Sequence, residues 1–345
     1  MKKVLVGLSG GVDSAVSAKI LTDKGYEVTG CFLLLTENSD INSEEAGQAR
    51  AVAQYLGIKL VFADFREHFR KNVTEYFAKE YLSGKTPNPC IMCNPTTKFF
   101  SLLQTADKEG ADFIATGHYA KIGFCGEENR HFLSAAPSKK DQSYFLYRLE
   151  NEQLARVIFP LGDFENKEQV RQVGEAAGLS NSKKKDSQEI CFIPDNSYAK
   201  FICDNFDFVP SPGDFLDMQG NKIGTHTGII NYTVGQRKGL GAFGEPRYVK
   251  KINAADNTVT LCRENERFAT HFVADSVYMN MNNIPEKLTA LVKVRSTGTP
   301  AEAEITFSGN KMTIDFVSPV LSPAPGQSAV IYTADGRVLG GGVIY

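Results

Sequence analysis

Residues 4–25 read VLVGLSGGVDSAVSAKILTDKG, and the fold follows from how this stretch divides. Residues 4–8 form a short β-branched apolar run, as in a buried strand. Ala15, Val16, Ala18, Ile20 and Leu21 then recur at helical spacing across residues 13–24, before Gly25 stops the helix. Strand, glycine turn and helix are followed by an apolar run at 28–35, an Ala-rich helix at 44–56 closed by Gly57, and a strand at 60–63. A helix over 67–82, a breaker-rich stretch at 84–95, a helix over 98–108 and a strand over 113–116 continue the pattern. Such alternation predicts an α/β doubly wound parallel sheet with helices on both faces. From about residue 211 the helical period fades, and PGD, MQGNK, SGNK, PGQ and ADGR punctuate short alternating runs such as 312–317, which is β architecture. The expected organisation is a catalytic unit over 1–207, a small mixed β-rich unit over 208–274 and a β unit over 275–345.

The 345 residues carry 38 Lys+Arg against 40 Asp+Glu, with 42% hydrophobic residues. At roughly 150 residues per domain this length suggests two or three domains, and the balance excludes a disordered, collagenous or disulfide-knitted chain. The longest apolar runs, such as FLLL at 32–35, fall far short of the roughly 20 residues that cross a bilayer. The apolar start is too short for a signal peptide, so a cytoplasmic protein without a membrane partner is expected. Seven cysteines without framework spacing then start as thiols.

SGGVDS, at Ser9, Gly10, Gly11, Val12, Asp13 and Ser14, sits where a strand feeds a helix. Helix-start N–H groups and the helix dipole favour an anion there. The adjacent glycines let backbone approach phosphate, Ser9 and Ser14 add donors, and Asp13 is placed to hold Mg²⁺ or orient the turn. No GK[ST] of a Walker A loop and no GxGxxG is present. The hexapeptide resembles the pyrophosphate loop of the N-type ATP pyrophosphatases, which cleave ATP between its α and β phosphates to adenylate an oxygen. Relatives with such loops act on many products, so the loop narrows the ligand and leaves the product open.

Prolines at 87 and 89 keep TPNPCIMCN, with Cys90 and Cys93, out of a regular helix until after Pro95. Cys191 lies in SQEICFI, downstream of Lys183, Lys184 and Lys185, and cationic surroundings favour thiolates. Cys31, Cys125, Cys203 and Cys262, set beside apolar residues, read as core thiols. Zinc is disfavoured, because structural sites take four ligands and only three candidates converge.

TPNPCIMCN, ATGHYAK at 115–121, KKDQSYFLYRL at 139–149, DSQEICFI at 186–193, YTVGQRKGLG at 232–241 and PGQSAVIY at 325–332 together resemble the tRNA 2-thiouridylases of the MnmA type, in order through the whole chain. The resemblance implies a C-terminal β-barrel, and ATP-dependent replacement of the C2 oxygen of uridine 34 in tRNA by sulfur. By position it makes Cys93 the nucleophile and Cys191 the persulfide carrier. It assigns Gly7, Leu8, the SGGVDS residues, Leu33 and Gly117 to ATP, with Asp13 also counted as catalytic. Asn88, Pro89 and Cys90 match the target-base loop, and His118, Lys140, Asp141, Gln142, Arg295, Ser296 and Gln327 match tRNA contacts. ATP with Mg²⁺, the anticodon arm of tRNAs for Lys, Glu and Gln, and a cysteine desulfurase or sulfur relay protein are the implied cofactors and partners.

Two departures stand out. Cys90 occupies a position where many members of that family have Asp, so Cys90, Cys93 and Cys191 could instead ligate a [4Fe–4S] cluster. Ser296 replaces a tyrosine often found beside Arg295. Clusters at Lys139 and Lys140, Lys183–185, Arg237 and Lys238, Lys250 and Lys251, and Lys293 with Arg295 offer a basic track despite the net charge of −2. Tyr119, Tyr144 and Phe145 are candidates to stack bases, with core the better reading for Phe145. A ligase of the same ATP pyrophosphatase class acting on a small metabolite, or an ATP- and tRNA-binding carrier, remains the alternative, separated by whether Cys93 and Cys191 are needed.

Overall fold

The computed structural model describes residues 1–179, 190–193, 195 and 197–345. Five strands form a parallel sheet in the order β3-β2-β1-β4-β7: β1 (Lys3–Gly7), β2 (Glu27–Leu34), β3 (Lys59–Asp64), β4 (Phe113–Ala115) and β7 (Val157–Ile158). A hairpin of β5 (Ala120–Cys125) and β6 (Arg130–Ala135) stands apart from it. The helices are α1 (Val12–Asp23), α2 (Glu44–Leu56), α3 (Arg66–Phe69), α4 (Glu75–Leu82), α5 (Pro89–Cys93), α6 (Phe99–Glu109), α7 (Asn151–Leu154), α8 (Lys167–Ala176) and α9 (Tyr198–Asn205). Among the described residues none is long and apolar enough to cross a membrane.

Local chemistry sets these boundaries. Ser43 caps α2 by accepting the Ala46 N–H at 3.2 Å, and Gly57 ends it in the left-handed region at φ 63°. Side chains alternate across β1: Val4 and Val6 join Val16, Ala49 and Val170 in one core, while Leu5 joins Phe99, Leu102 and Ile114 in another.

The expected continuous helix over 67–82 is broken by a π-helical turn at Arg70–Thr74, and a second, at Asn94–Lys98, separates α5 from α6. The hairpin was not foreseen, because 120–135 lacks a strong period.

A small sheet, β10 (Tyr248–Asn253), β11 (Thr258–Cys262), β8 (Gly213–Leu216) and β9 (Lys222–His226), follows in that spatial order. The barrel closes as β12-β15-β14-β13-β16-β17, with β12 (Phe268–Met279), β13 (Lys287–Lys293), β14 (Ala301–Ser308), β15 (Lys311–Leu321), β16 (Ser328–Tyr332) and β17 (Val338–Ile344). In β15 Met312, Ile314 and Phe316 point inward as the alternation predicts. Val330, Tyr332 and Val338 of the barrel belong to the same core as Leu5 and Phe99. Tyr144 donates its hydroxyl to the Ser328 carbonyl at 2.8 Å, and Tyr278 to that of Leu149 at 2.9 Å.

Candidate active site

Both β2 and β4 flank β1, so the chain runs out in opposite directions from the carboxyl end of β1, where open α/β sheets bind ligands. At Gly10 φ is +77°, and a Cβ would fall 2.6 Å from the Glu45 carbonyl oxygen in the first turn of α2. Backbone conformation and space both require glycine there. Ser14 Oγ donates to the Gly11 carbonyl at 3.0 Å and accepts the Ser9 N–H at 3.2 Å, folding the turn onto itself. Gly11 caps α1 without a side-chain bond, which leaves the helix start suited to an anion.

Asp13 is fully engaged. Tyr119 donates its hydroxyl to Asp13 Oδ1 at 2.8 Å, and Lys167, buried at the start of α8, pairs with Oδ2. These bonds fit a role in orienting the turn, while the carboxylate stays partly exposed on the wall of the cavity described next. A Cβ on Gly117 would lie 2.8 Å from the Asp13 carbonyl carbon, so glycine there lets the loop after β4 pack on the first turn of α1.

A cavity of about 350 Å³ opens at this edge. Gly7, Leu8, Ser9, Asp13, Ser14, Leu33 and Gly117, all expected at a nucleotide, line it, whereas Gly10, Gly11 and Val12 do not. His118 and Gln142, expected at tRNA, also line it. Gln142 accepts the Tyr119 N–H at 3.0 Å. The His118 ring packs in a cluster with Phe99 and Phe159, with Nδ1 2.6 Å from Thr116 Oγ1, and burial, helped by the charge of Lys98, depresses its pKa well below the ordinary imidazole value. Lys98 and Glu45 line the cavity too and were missed. The available signal for Lys98 was a cation in the turn after Cys93.

Asn88 caps α5 by accepting the Cys90 N–H at 3.1 Å, with Pro89 at the first helical position. Cys90 is exposed and Cys93 buried against Phe69, Val73, Leu35 and Phe192, the residue after exposed Cys191. Burial pushes the Cys93 thiol up to about 12, opposed first by Lys98, whose charge and backbone N–H both act on it. Although Cys90 and Cys191 reach the surface, the protein packed around their thiols raises them as well, and Lys98 lowers both. Each of these two thiols also acts electrostatically on Cys93, so the fold gathers all three around one cation. Among the described residues no three His, Cys, Asp or Glu side chains are grouped to hold a metal ion.

The strap before α5 is bolted to the barrel. Thr86 donates its N–H to the Pro325 carbonyl at 2.7 Å and accepts the Gln327 side-chain amide at 2.6 Å. Asp141 binds the N–H groups of Ala136 and Ser143 and the Ser143 hydroxyl, whereas Lys140 is exposed.

Several surface expectations need correction. Tyr119 and Tyr144 are buried with their hydroxyls engaged, so neither can stack a base, and Phe145 is half-buried against Tyr144. Lys250 is held by the Glu266 carbonyl, Arg295 by that of Ser322 within the barrel unit, and Lys293 lies 5.9 Å from the Tyr144 ring of the first domain, so all three have partners inside the protein. Lys139, Arg237, Lys238 and Lys251 are exposed, and Ser296 is half-buried. Cys31 and Cys262 are core thiols as expected; Cys125 and Cys203 are only half-buried. Lys183, Lys184 and Lys185 lie outside the described residues.

Family models match along the whole chain: the tRNA methyl transferase HUP domain at residues 2–195, the tRNA methyl transferase PRC-barrel domain at 199–263 and the aminomethyltransferase beta-barrel domain at 269–344. The tRNA-specific 2-thiouridylase MnmA of Acetivibrio thermocellus is 44% identical over 357 residues, covering 99% of each chain. That of Treponema denticola is 45% identical over 358 residues, covering 99% of this chain and 97% of its own. Among solved structures, a 4-thiouridine synthetase–RNA complex with bound ATP is similar at TM-score 0.41 and 19% identity, over 56% of this chain and 46% of that one. With a pyrophosphate loop and a cavity at one sheet edge, and with relatives alike from end to end, this chain belongs to the tRNA-specific 2-thiouridylase family.

Proposed function

We propose that this protein carries out ATP-dependent 2-thiolation of uridine 34 in tRNA. One observation carries the reading: the nucleotide cavity and the sulfur site share a wall, since Leu35 both lines the cavity and packs on Cys93 with Phe192. An activated oxygen formed in the cavity is therefore within reach of sulfur held beside it.

The uridine C2 oxygen attacks the α-phosphorus of ATP at the Ser9–Ser14 turn, and pyrophosphate leaves. Mg²⁺ would accompany the ATP phosphates, beside Asp13, whose carboxylate is held by Lys167 and Tyr119. A cysteine desulfurase or relay protein loads the outer sulfur onto exposed Cys191. The Cys93 thiolate attacks the inner sulfur of that persulfide, forming the Cys93–Cys191 disulfide and releasing hydrosulfide with the electron pair of the broken S–S bond. Hydrosulfide adds to C2, and AMP departs with the original oxygen. A dithiol reductant then regenerates both thiols. The alternative order, with the terminal persulfide sulfur attacking C2 and Cys93 resolving afterwards, uses the same residues. Asn88, Pro89 and Cys90 form the base-contacting strap. Lys140, together with exposed Arg237 and Lys238, meets the anticodon arm of tRNAs for Lys, Glu and Gln.

The test is reconstitution with ATP, Mg²⁺, a cysteine desulfurase, cysteine and unmodified tRNA, followed by nucleoside mass spectrometry. 2-Thiouridine at position 34, dependent on ATP and on both Cys93 and Cys191, is expected. A product formed equally by Cys191→Ser would refute the persulfide route.

A further inference from the structure

We propose that Lys98 is a catalytic residue for both half-reactions, holding the phosphate of the adenylated uridine and steadying the anionic sulfur that displaces it. The inference rests on the thiolation reading above.

Charge balance in the cavity is the first observation. Asp13, Glu45 and Lys98 are its charged lining residues, so Lys98 is the one cation on that wall among the described residues. Lys167, the other nearby cation, is spent on Asp13. The Lys98 ammonium makes no hydrogen bond or ion pair with the described residues, and the side chain is half-buried. A polyanionic nucleotide in this cavity thus has one unspent positive charge to meet.

The second observation is backbone register. Lys98 closes the π-helical turn Asn94–Lys98, in which N–H groups reach back five residues instead of four. That register brings the Lys98 N–H to Cys93. In an α-helical turn the residue in its place would be Thr97, which is wholly buried. The widened turn therefore directs the Lys98 backbone N–H toward Cys93 and leaves its side chain lining the nucleotide cavity. Its charge is also the foremost influence favouring thiolate at Cys93, Cys90 and Cys191.

Negative charge moves past this point in every step: onto Cys93 as its thiol ionises, onto hydrosulfide as the S–S bond breaks, and onto AMP as the C–O bond breaks. A fixed cation in a water-poor site stabilises each without giving up a proton.

Lys98→Met keeps the aliphatic stem and removes the charge, while Lys98→Arg keeps the charge; both are made in the full chain, with a melting temperature to confirm folding. Lys98→Met is expected to lower the thiolation turnover on the order of 10²-fold. It should also slow iodoacetamide alkylation of Cys93 at pH 8, without ATP or tRNA, by about tenfold, the effect of roughly one pKa unit. Lys98→Arg should restore alkylation to near the wild-type rate and recover much of the turnover. Turnover of Lys98→Met within a few-fold of wild type would overturn the proposal, as would lost turnover with unchanged Cys93 alkylation. Wild type assayed in parallel separates the two readings: no 2-thiouridine from wild type removes thiolation itself, whereas product from both proteins removes only the role of Lys98.

Discussion

Asp13 and Lys167 form an ion pair that joins the first turn of α1 to the first residue of α8, with the lysine side chain only 8% exposed. A lysine at a helix start opposes the helix dipole, so the carboxylate of Asp13 is what makes this placement tolerable. Removing one partner strands the other. Asp13→Ala is expected to destabilise the protein by about 2–4 kcal/mol and to abolish adenylation, whereas Asp13→Ala combined with Lys167→Met recovers part of the stability and none of the activity. Denaturant melts and ATP-dependent pyrophosphate release measure the two effects; additive losses in the double variant would show that the pair is not coupled.

The cysteines should separate by position. Cys93→Ser and Cys191→Ser are each expected to abolish thiolation, while Cys203→Ser, outside the gathered trio and half-buried, leaves it intact. Cys90→Asp should retain activity, because the chemistry assigned to Cys93 and Cys191 needs no third thiol. Iron and acid-labile sulfide after anaerobic purification provide the check, and about four irons per chain, lost with Cys90→Asp, would contradict that assignment.

Gln327 reaches across from the barrel to Thr86, four residues before Cys90. Gln327→Ala deletes one hydrogen bond, about 1 kcal/mol, so transient opening of the strap is expected to increase several-fold. Trypsin cleavage after Lys85 should quicken accordingly and thiolation should fall with it. Unchanged cleavage would leave Gln327 no positioning role.

His226, buried in the small sheet, accepts the Gly228 N–H at Nδ1 (3.1 Å) and faces the Asn257 carbonyl through Nε2 at 3.0 Å. Nδ1 must therefore be unprotonated. Burial lowers its pKa below the ordinary 6.5, outweighing the opposing pulls of Asn257 and Asp214. Because the folded pKa is depressed, the stability from this site is complete above pH 6.5 and declines as pH falls through the folded value. His226→Gln, which offers the same donor and acceptor without titrating, should show a smaller loss of melting temperature between pH 7.5 and 5 than wild type.

Much of the α/β unit was legible because its signals are local. Gly57 ends α2 where a left-handed residue is needed, and Gly10 sits where φ is positive. The nucleotide turn was legible for the same reason. Lys98 was not, because nothing in TTKFF distinguishes a lysine on a π-helical turn from one on a solvated helix face. Tyr119 and Tyr144 misled because an aromatic residue near a basic cluster gives no sign of what its hydroxyl binds. Lys293 and Arg295 were hard to place for a related reason: which partner a cation meets inside the protein depends on Tyr144 and Ser322, which are distant from them in the chain.

The strap at Thr86 is anchored by Pro325 and Gln327, and these lie next to β17: Gly326 donates its N–H to the Ile344 carbonyl, and Ile344 donates to that of Gln327, both at 2.8 Å. During synthesis the nucleotide turn, complete by Ser14, emerges from the ribosome long before the brace on the cysteine segment exists. A nascent chain can thus present a phosphate-binding turn well before its sulfur machinery is held in place. Coupling the brace to residues as late as Ile344 ties competence for sulfur transfer to closure of the barrel, and a chain stalled short of that point is left without it.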